Sequence, residues 1–382
     1  MPALARMIHH AFGFPMDACE VWLRKGELDE LRVVKDAGEA VACLRTVPMG
    51  QYFGGQRVPM VGIAGVATAP ERRGRGYARR MMEACVEELA ARGVAMSTLF
   101  ASTRELYRKV GFEQAGVHAA IRVPVAGFGG GQSELKVRPL TLGDEPAVRE
   151  VQEGWGPMWP GALSRGKYIW DRIGERHGKV YDGFGAFAPS GQMEGYVYLH
   201  QFRKPEVMKH DVLVSDVAWA TPRAGRTLQA FLGGFGTMAN EVEILGSAGH
   251  PLLALVPGVE RSVSRCEMWM ARLTDVKGAL SARGYAPGVR ASVVLDVHDE
   301  LLPQNDGLWT VEVEDGHAQV RQGGDYKTAL RLGVRGLAAI FTGHMRASHA
   351  ALLGWAHAEM PKTLQAADAA FAGGEPWLAD FF

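Results

Sequence analysis

The sequence predicts an α+β protein folded in more than one domain, and three observations carry that expectation. The chain has 382 residues, beyond the size at which a single hydrophobic core ordinarily keeps growing. Strand-like and helix-like patterns alternate up to about Val125. A glycine-rich break, Gly127-Phe128-Gly129-Gly130-Gly131-Gln132-Ser133, then separates that block from a fresh strand-like start at Leu135-Lys136-Val137-Arg138-Pro139-Leu140.

Composition fits a globular chain with enough apolar residues for a sizeable core, at 47% hydrophobic and 22% charged. The 42 basic and 42 acidic side chains cancel, so the chain as a whole has no pull toward nucleic acid or an anionic membrane. Cys19, Cys43, Cys85 and Cys266 form no C-x-x-C pair and have no histidine at zinc spacing, which argues against a disulfide scaffold or a metal site. Met1–Phe14 carries Arg6 and paired histidines in place of a continuous apolar core, so no secretory signal is expected. No uncharged apolar run approaches the ~18 residues of a membrane span, and a cytoplasmic location is expected.

Taken in order, the first block (1–130) contains a helix bearing Trp22, then Val58–Thr68, a buried strand interrupted by Gly62 and Gly65. Glycine inside a strand often marks a bulge or a close backbone approach. A helix with Ala78, Met81, Met82, Cys85 and Leu89 on one face follows, with Gly93 as its stop. Val94–Phe100 reads as a strand, and Ala101-Ser102-Thr103 leads into a helix through Tyr107 toward Gly111-Phe112. The second block (131–284) has strand patterns at Gly195–His200 and Val212–Ala220. The third (285–382) opens with a strand at Ala291–Val297. The turn signal Gln304-Asn305-Asp306-Gly307 and an alternating partner, Leu308–Val313, follow. Helices are expected around Thr328–Phe341 and Ala347–Ala356, and the block closes with Leu364–Phe371, Gly373-Gly374-Glu375-Pro376 and the tail Trp377–Phe382.

The chemistry concentrates between the strand ending at Thr68 and the helix after Gly76. The first N–H groups of a helix lack partners within it, and the macrodipole adds positive character there. Gly74 and Gly76 let the backbone approach a phosphate, and five arginines (72, 73, 75, 79 and 80) supply counter-charge. The segment reads as a pyrophosphate site; the plain alternatives are a solvated basic helix end or a nucleic-acid contact. A dinucleotide fingerprint fails because Arg79 stands where its third glycine should be. A Walker A loop fails because Gly161–Tyr168 ends in Gly-Lys-Tyr.

Arg73-x-x-Gly76-x-Ala78 matches the R/Q-x-x-G-x-G/A signature of the GNAT acetyltransferase superfamily. The whole chain resembles its Eis-type (enhanced intracellular survival) branch. That branch has an N-terminal GNAT domain, a second GNAT-like domain and a C-terminal domain similar to sterol carrier protein. The resemblance in the third block rests on Leu295-Asp296, Pro303–Trp309, Leu337–Gly343 and the closing Pro376–Phe382. The second block lacks the signature, reading Thr-Pro-Arg-Ala-Gly-Arg-Thr-Leu over Thr221–Leu228, and is expected to be scaffold.

The resemblance implies an acetyl-CoA-dependent N-acetyltransferase without a metal. Tyr107 would be the general acid, and the carboxylate closing the chain at Phe382 the general base. Acetyl-CoA would be held by Val66, Ala67 and Thr68, by Arg73, Gly74, Arg75, Gly76, Tyr77, Ala78 and Arg79, and by Ser102 and Thr103, with Trp22 lining the amine pocket. A tyrosine of intrinsic pKa about 10 can donate to a departing thiolate, while a terminal carboxylate near 3.5 needs desolvation or a relaying water to act as a base. The acceptor is a small-molecule or peptide amine: an aminoglycoside, a smaller or more apolar amine, or a lysine. Phe381 is not acidic, which weakens the case for a polycation. A homo-oligomer, a hexamer in the family, is implied. The competing reading is a lipid- or small-molecule-binding protein that uses the carrier-like domain beside a vestigial transferase site.

Overall fold

The structure, a computed structural model, describes residues 2–129, 133–176, 178–203, 209–256, 258 and 260–382. Gly130, Gly131 and Gln132 of the expected linker lie outside the described residues.

The first block contains α1 (Pro2–Phe12), α2 (Met16–Arg24), β1 (Leu31–Asp36), β2 (Glu39–Phe53), β3 (Gln56–Thr68), α3 (Tyr77–Ala91), β4 (Met96–Phe100), α4 (Arg104–Arg108) and β5 (Glu113–Pro124). Trp22 therefore stands on the second helix, not the first, because Leu4, Ala5, Met7 and Ile8 bury one face of an earlier one. β2 and β3 form a hairpin closed by Gly54-Gly55, both at positive φ, as a two-residue turn matched to strand twist demands. α3 buries Met81, Met82, Cys85, Val86 and Leu89. It ends where Gly93 turns left-handed and the Gly93 and Val94 amides bond back to the Ala90 and Leu89 carbonyls.

The second block contains β6 (Lys136–Pro139), α5 (Glu145–Trp155), β7 (Leu163–Ser164), α6 (Lys167–Trp170), β8 (Glu175–Arg176), β9 (Lys179–Val180), β10 (Asp182–Phe187), β11 (Met193–Arg203), β12 (His210–Trp219), α7 (Pro222–Gly233), β13 (Ala239–Gly246), α8 (Pro251–Ala254), β14 (Ser262–Leu273) and α9 (Val276–Ala282). Among the described residues one sheet spans both blocks in the order β1-β2-β3-β4-β14-β5-β13-β12-β11-β10-β6, with β7 paired to β2. β14 is chain from the second block wedged between two strands of the first, so the halves share a backbone ladder and not just a side-chain interface.

The same plan appears twice in that sheet. β1, β2 and β3 are antiparallel, and α3 then leads to β4, parallel to β3. β10, β11 and β12 are antiparallel, and α7 then leads to β13, parallel to β12.

The third block adds β15 (Ala291–His298), β16 (Gly307–Glu314), β17 (His317–Gln322), β18 (Leu330–Gly333), α10 (Val334–Phe341), α11 (Ala347–Leu352), β19 (Ala356–His357) and α12 (Pro361–Ala370), with sheet order β17-β16-β15-β18-β19. The hairpin expected around Gln304–Gly307 is present as β15 paired with β16. The helix expected from Thr328 begins only at Val334. Leu330 and Leu332 alternate with Arg331 at period two, and this stretch pairs in parallel with β15. The helix expected over Ala347–Ala356 stops at Leu352, since Gly354 turns left-handed and Ala356–His357 joins the sheet edge.

Candidate active site

The site is built where β3 and β4 part. Their parallel register runs only from Met60↔Met96 to Ile63↔Leu99, while β3 continues to Thr68 against β2 on its other side. In that extension Gly65 and Val66 oppose Leu44 alone, a β-bulge in which Gly65 takes φ +61. Val66, Ala67 and Thr68 thus present the edge of β3 that β4 has left. The indole of Trp22 lies over the bulge, where a Cβ on Gly65 would come within 2.4 Å of it. The indole N–H donates to the Tyr168 hydroxyl at 2.8 Å, and the fully buried Arg45 guanidinium stacks on the ring at 4.5 Å.

Beyond Thr68 the chain crosses a short turn to α3. Gly74 and Gly76 are left-handed at φ +76 and +78, and a Cβ on either would face open space. Gly76 caps α3, whose first turn carries no acidic residue and no side-chain cap. The orphan N–H groups of the helix start therefore remain available to an anion. The basic side chains divide. Arg73, Arg75 and Arg79 are exposed around the turn, while Arg72 is drawn back to Glu39 and Asp36 on the β1–β2 hairpin. Tyr77 and Ala78 are half-buried, and the Tyr77 hydroxyl donates to Asp36.

On the far side of β4, Ser102 and Thr103 are exposed ahead of α4, and Tyr107 is buried with Leu99, Val110, Phe112 and Met270. Burial pushes the Tyr107 phenol up to about 12. Its helix is pinned by Glu113. One oxygen of that buried carboxylate accepts from Arg108 at 2.7 Å, and the other from Arg335 Nε of α10 at 3.0 Å. Burial works against the Glu113 charge, but the two guanidinium groups hold its carboxyl below the usual range.

The last residues of the chain enter this cleft. The Phe382 ring is buried against β3, where a Cβ on Gly62 would lie 2.6 Å from it, and it meets the Phe100 ring at 5.5 Å. Phe381 stacks on Phe100 at 4.4 Å and leans on His118 at 5.9 Å. The structure thus brings Trp22, the Val66–Thr68 edge, Phe100 and Phe382 around the divergence of β3 and β4, with Tyr107 packed against Leu99. Sequence reading missed Phe100, His118, Tyr168 and Arg45; Gly62 and Gly65, flagged there as breaks in a strand, are the signal that could have shown where rings pack.

The second block's matching helix is closed. Thr221 caps α7 through its side chain, Pro222 follows, and Arg223 and Thr221 both donate to the buried Glu194 carboxylate. The Thr221 hydroxyl also accepts from the Ala224 amide, so a side-chain cap takes one of the helix-start N–H groups that an outside anion would use. Among the described residues no helix is long and apolar enough to cross a membrane.

Comparison with known proteins agrees with this arrangement. Residues 1–115 match the model of an acetyltransferase (GNAT) domain, residues 161–273 match a second model of that description, and residues 276–379 match a sterol carrier protein domain. An uncharacterized N-acetyltransferase of Streptomyces avermitilis is 27% identical over 97% of this chain and 95% of its own length. The crystal structure of a GCN5-related N-acetyltransferase from Anabaena variabilis superposes with a TM-score of 0.94 at 29% identity, covering 99% of this chain and 96% of that one. Eis1 from Mycobacterium abscessus shares the fold at a TM-score of 0.76 and 21% identity, over 96% and 97% of the two chains. Two GNAT domains in series, a carrier-protein domain behind them and relatives of the same span named N-acetyltransferases make this chain a GNAT-type N-acetyltransferase, a fold that draws its acetyl group from acetyl-CoA.

Proposed function

We propose that the chain transfers the acetyl group of acetyl-CoA to a primary amine in the cleft between β3 and β4, in the manner of the Eis-type enzymes. Tyr107 acts as general acid and the carboxylate of Phe382 as general base. One observation carries this reading: the end of the third block is seated in the cleft of the first, with the Phe382 ring on Gly62 and beside Phe100. Chain ends usually fray unless something ties them down.

In this reading the pantetheine arm lies along the open edge of Val66, Ala67 and Thr68. The pyrophosphate rests on Gly74, Gly76 and the first turn of α3 through Tyr77 and Ala78, with Arg73, Arg75 and Arg79 as counter-charge. Ser102 and Thr103 flank the arm from the start of α4, and Trp22 lines the amine pocket. The neutral amine attacks the thioester carbonyl carbon and the C–S bond breaks. The amine proton passes to the Phe382 carboxylate, and the departing sulfur takes the Tyr107 proton. At about 12 the tyrosine stays protonated at any working pH. A thiol near 8.5 is the stronger acid, so the proton moves as the C–S bond breaks and the tyrosine is restored afterwards.

The lining of the pocket beside Phe381 bears on the acceptor's charge. Beside Phe381 stand Arg172, Arg176, Asp216 and Asp380, and Arg165 already ties up both carboxylates. A polycation gains little there. A small apolar amine, or one that carries its own carboxylate, suits that lining better than an aminoglycoside does. Thiol release from acetyl-CoA, followed with aminoglycosides, polyamines, lysine peptides, arylalkylamines and amino acids, tests the reading. Amine-dependent release is expected, strongest with the last two groups. No release with any amine, in protein that binds acetyl-CoA, would contradict it.

A further inference from the structure

The second GNAT-like cleft is occupied by this chain's own tail. β12 and β13 pair in parallel from His210↔Ala239, through a register shift before Val212, to Val214↔Ile244 and then part, as β3 and β4 do. The space beyond Val214 is lined by Asp216 and Val217 of β12, by Leu245 and His250, and by Trp377 to Asp380 of the tail. Gly246 leaves room for the tail: a Cβ there would stand 3.1 Å from the Trp377 ring.

The tail is fixed in register before it reaches the first cleft. The Val117 amide donates to the Pro376 carbonyl and the Leu378 amide to the Val117 carbonyl, each at 2.9 Å, while the Trp377 amide donates to Pro160. His118 Nδ1 donates to the Leu378 carbonyl at 2.9 Å, which fixes the ring's tautomer. Two residues further on, Asp380 accepts from Arg165 Nε at 3.0 Å. The other two nitrogens of that guanidinium grip both oxygens of Asp216 at 2.8 Å, and the Tyr196 hydroxyl donates to Asp216 at 2.9 Å. The Arg165 side chain is only 3% exposed.

One carboxylate already neutralises a buried guanidinium, and a second adds desolvation cost for little further gain. Burial and the nearby Asp216 charge push Asp380 above the usual carboxylate range, with Arg165 opposing them. Such an arrangement is poor as a source of stability and effective as a register pin, because the fork fits its carboxylates in fixed geometry. From Asp380 only two residues remain to Phe382, a reach of roughly 7 Å. Holding Asp380 therefore limits where the terminal carboxylate can go.

We infer that Arg165 is the positioning residue of the first active site: anchored on Asp216 in the disused second cleft, it holds the tail at Asp380 and so sets the Phe382 carboxylate beside β3 and β4. This rests on the assignment of that carboxylate as the base, and the test separates the two. Asp380→Ala leaves the Arg165–Asp216 pair intact, so the variant retains its fold where Arg165→Met could lose it. Carboxypeptidase A, which removes C-terminal aromatic residues, reads the tail directly, and turnover and acetyl-CoA affinity are measured beside it. In Asp380→Ala, Phe382 is expected to be released at least ten times faster than from the native protein. The expected kcat falls at least tenfold, with acetyl-CoA affinity unchanged. Arg165→Lys, which keeps the charge but not the fork, is expected to lie between the two. Unchanged Phe382 release in a folded Asp380→Ala protein would overturn the strap. Faster release with unchanged kcat would leave the strap standing and remove the terminal carboxylate from the mechanism.

Discussion

The two GNAT-like clefts share a plan and differ in what each leaves open. In the first, the helix after the central strand starts on a left-handed glycine, with no acid in its first turn and arginines around it. In the second, the helix starts on a capping threonine and a proline, and Thr221 and Arg223 are both tied to the Glu194 carboxylate. The first strand divergence receives the end of the tail; the second holds the stretch of tail just before it. A duplicated fold can thus keep its geometry while one copy leaves its helix start uncapped and the other caps it with its own side chain.

Four changes would break or sharpen that comparison. The largest effect is expected at Tyr107→Phe, which removes the proton donor: kcat should fall by roughly 10²–10⁴-fold with acetyl-CoA affinity nearly intact. Unchanged turnover would take Tyr107 out of the mechanism. A side chain forced into the left-handed cap, Gly76→Val, costs about 1–2 kcal/mol in the conformation the site needs. Acetyl-CoA titrated calorimetrically should bind at least tenfold more weakly to that variant, whereas native affinity would move the cofactor away from α3.

Acid should loosen the second cleft. Burial pushes His118 and His250, which both touch the tail, down to about 4 from an ordinary 6.5. Both are neutral when folded, and the unfolded chain takes up protons below 6.5. Their contribution is therefore complete above pH 6.5 and is lost as pH falls toward 4, by about 3 kcal/mol for each. Urea melts at pH 7 and pH 5 should show the loss, and His118→Asn should shrink it; a flat profile would mean that neither ring is held neutral. The smallest effect belongs to the closed helix start. Thr221→Ala should lower stability by about 1 kcal/mol and leave acetyl-CoA affinity untouched. A change in affinity would show that the second helix start binds cofactor after all.

Much of the first cleft was legible in the sequence because its chemistry is local. Gly74, Gly76 and the five arginines all lie within Arg72–Arg80, and a helix start needs no distant partner to be recognised. The missing signature of the second block was legible for the same reason, over Thr221–Leu228, where the helix start carries a side-chain cap. What could not be read was contact across long stretches of chain. Asp380 meets Arg165 and Asp216 only because strands 160–220 fold beneath the tail, and nothing near any of the three residues signals the others. Nor does Ser262–Leu273 announce that it will leave its own block and enter the ladder between β4 and β5. The helix misread over Thr328–Gly333 has a related cause. Leu330-x-Leu332 carries the period of a strand, but the alternation is too short to stand out ahead of the helix that follows, and pairing with β15 fixes it.

The most direct test of the proposed mechanism compares the native protein with one extended by a few residues beyond Phe382, both followed by thiol release from acetyl-CoA with a primary amine. The extension displaces the terminal carboxylate without altering any residue of the cofactor site. The native protein is expected to release thiol in proportion to the amine, and the extended one to lose that activity by roughly 10²-fold or more while binding acetyl-CoA as before. Full amine-dependent turnover in the extended protein would contradict the terminal carboxylate as the base.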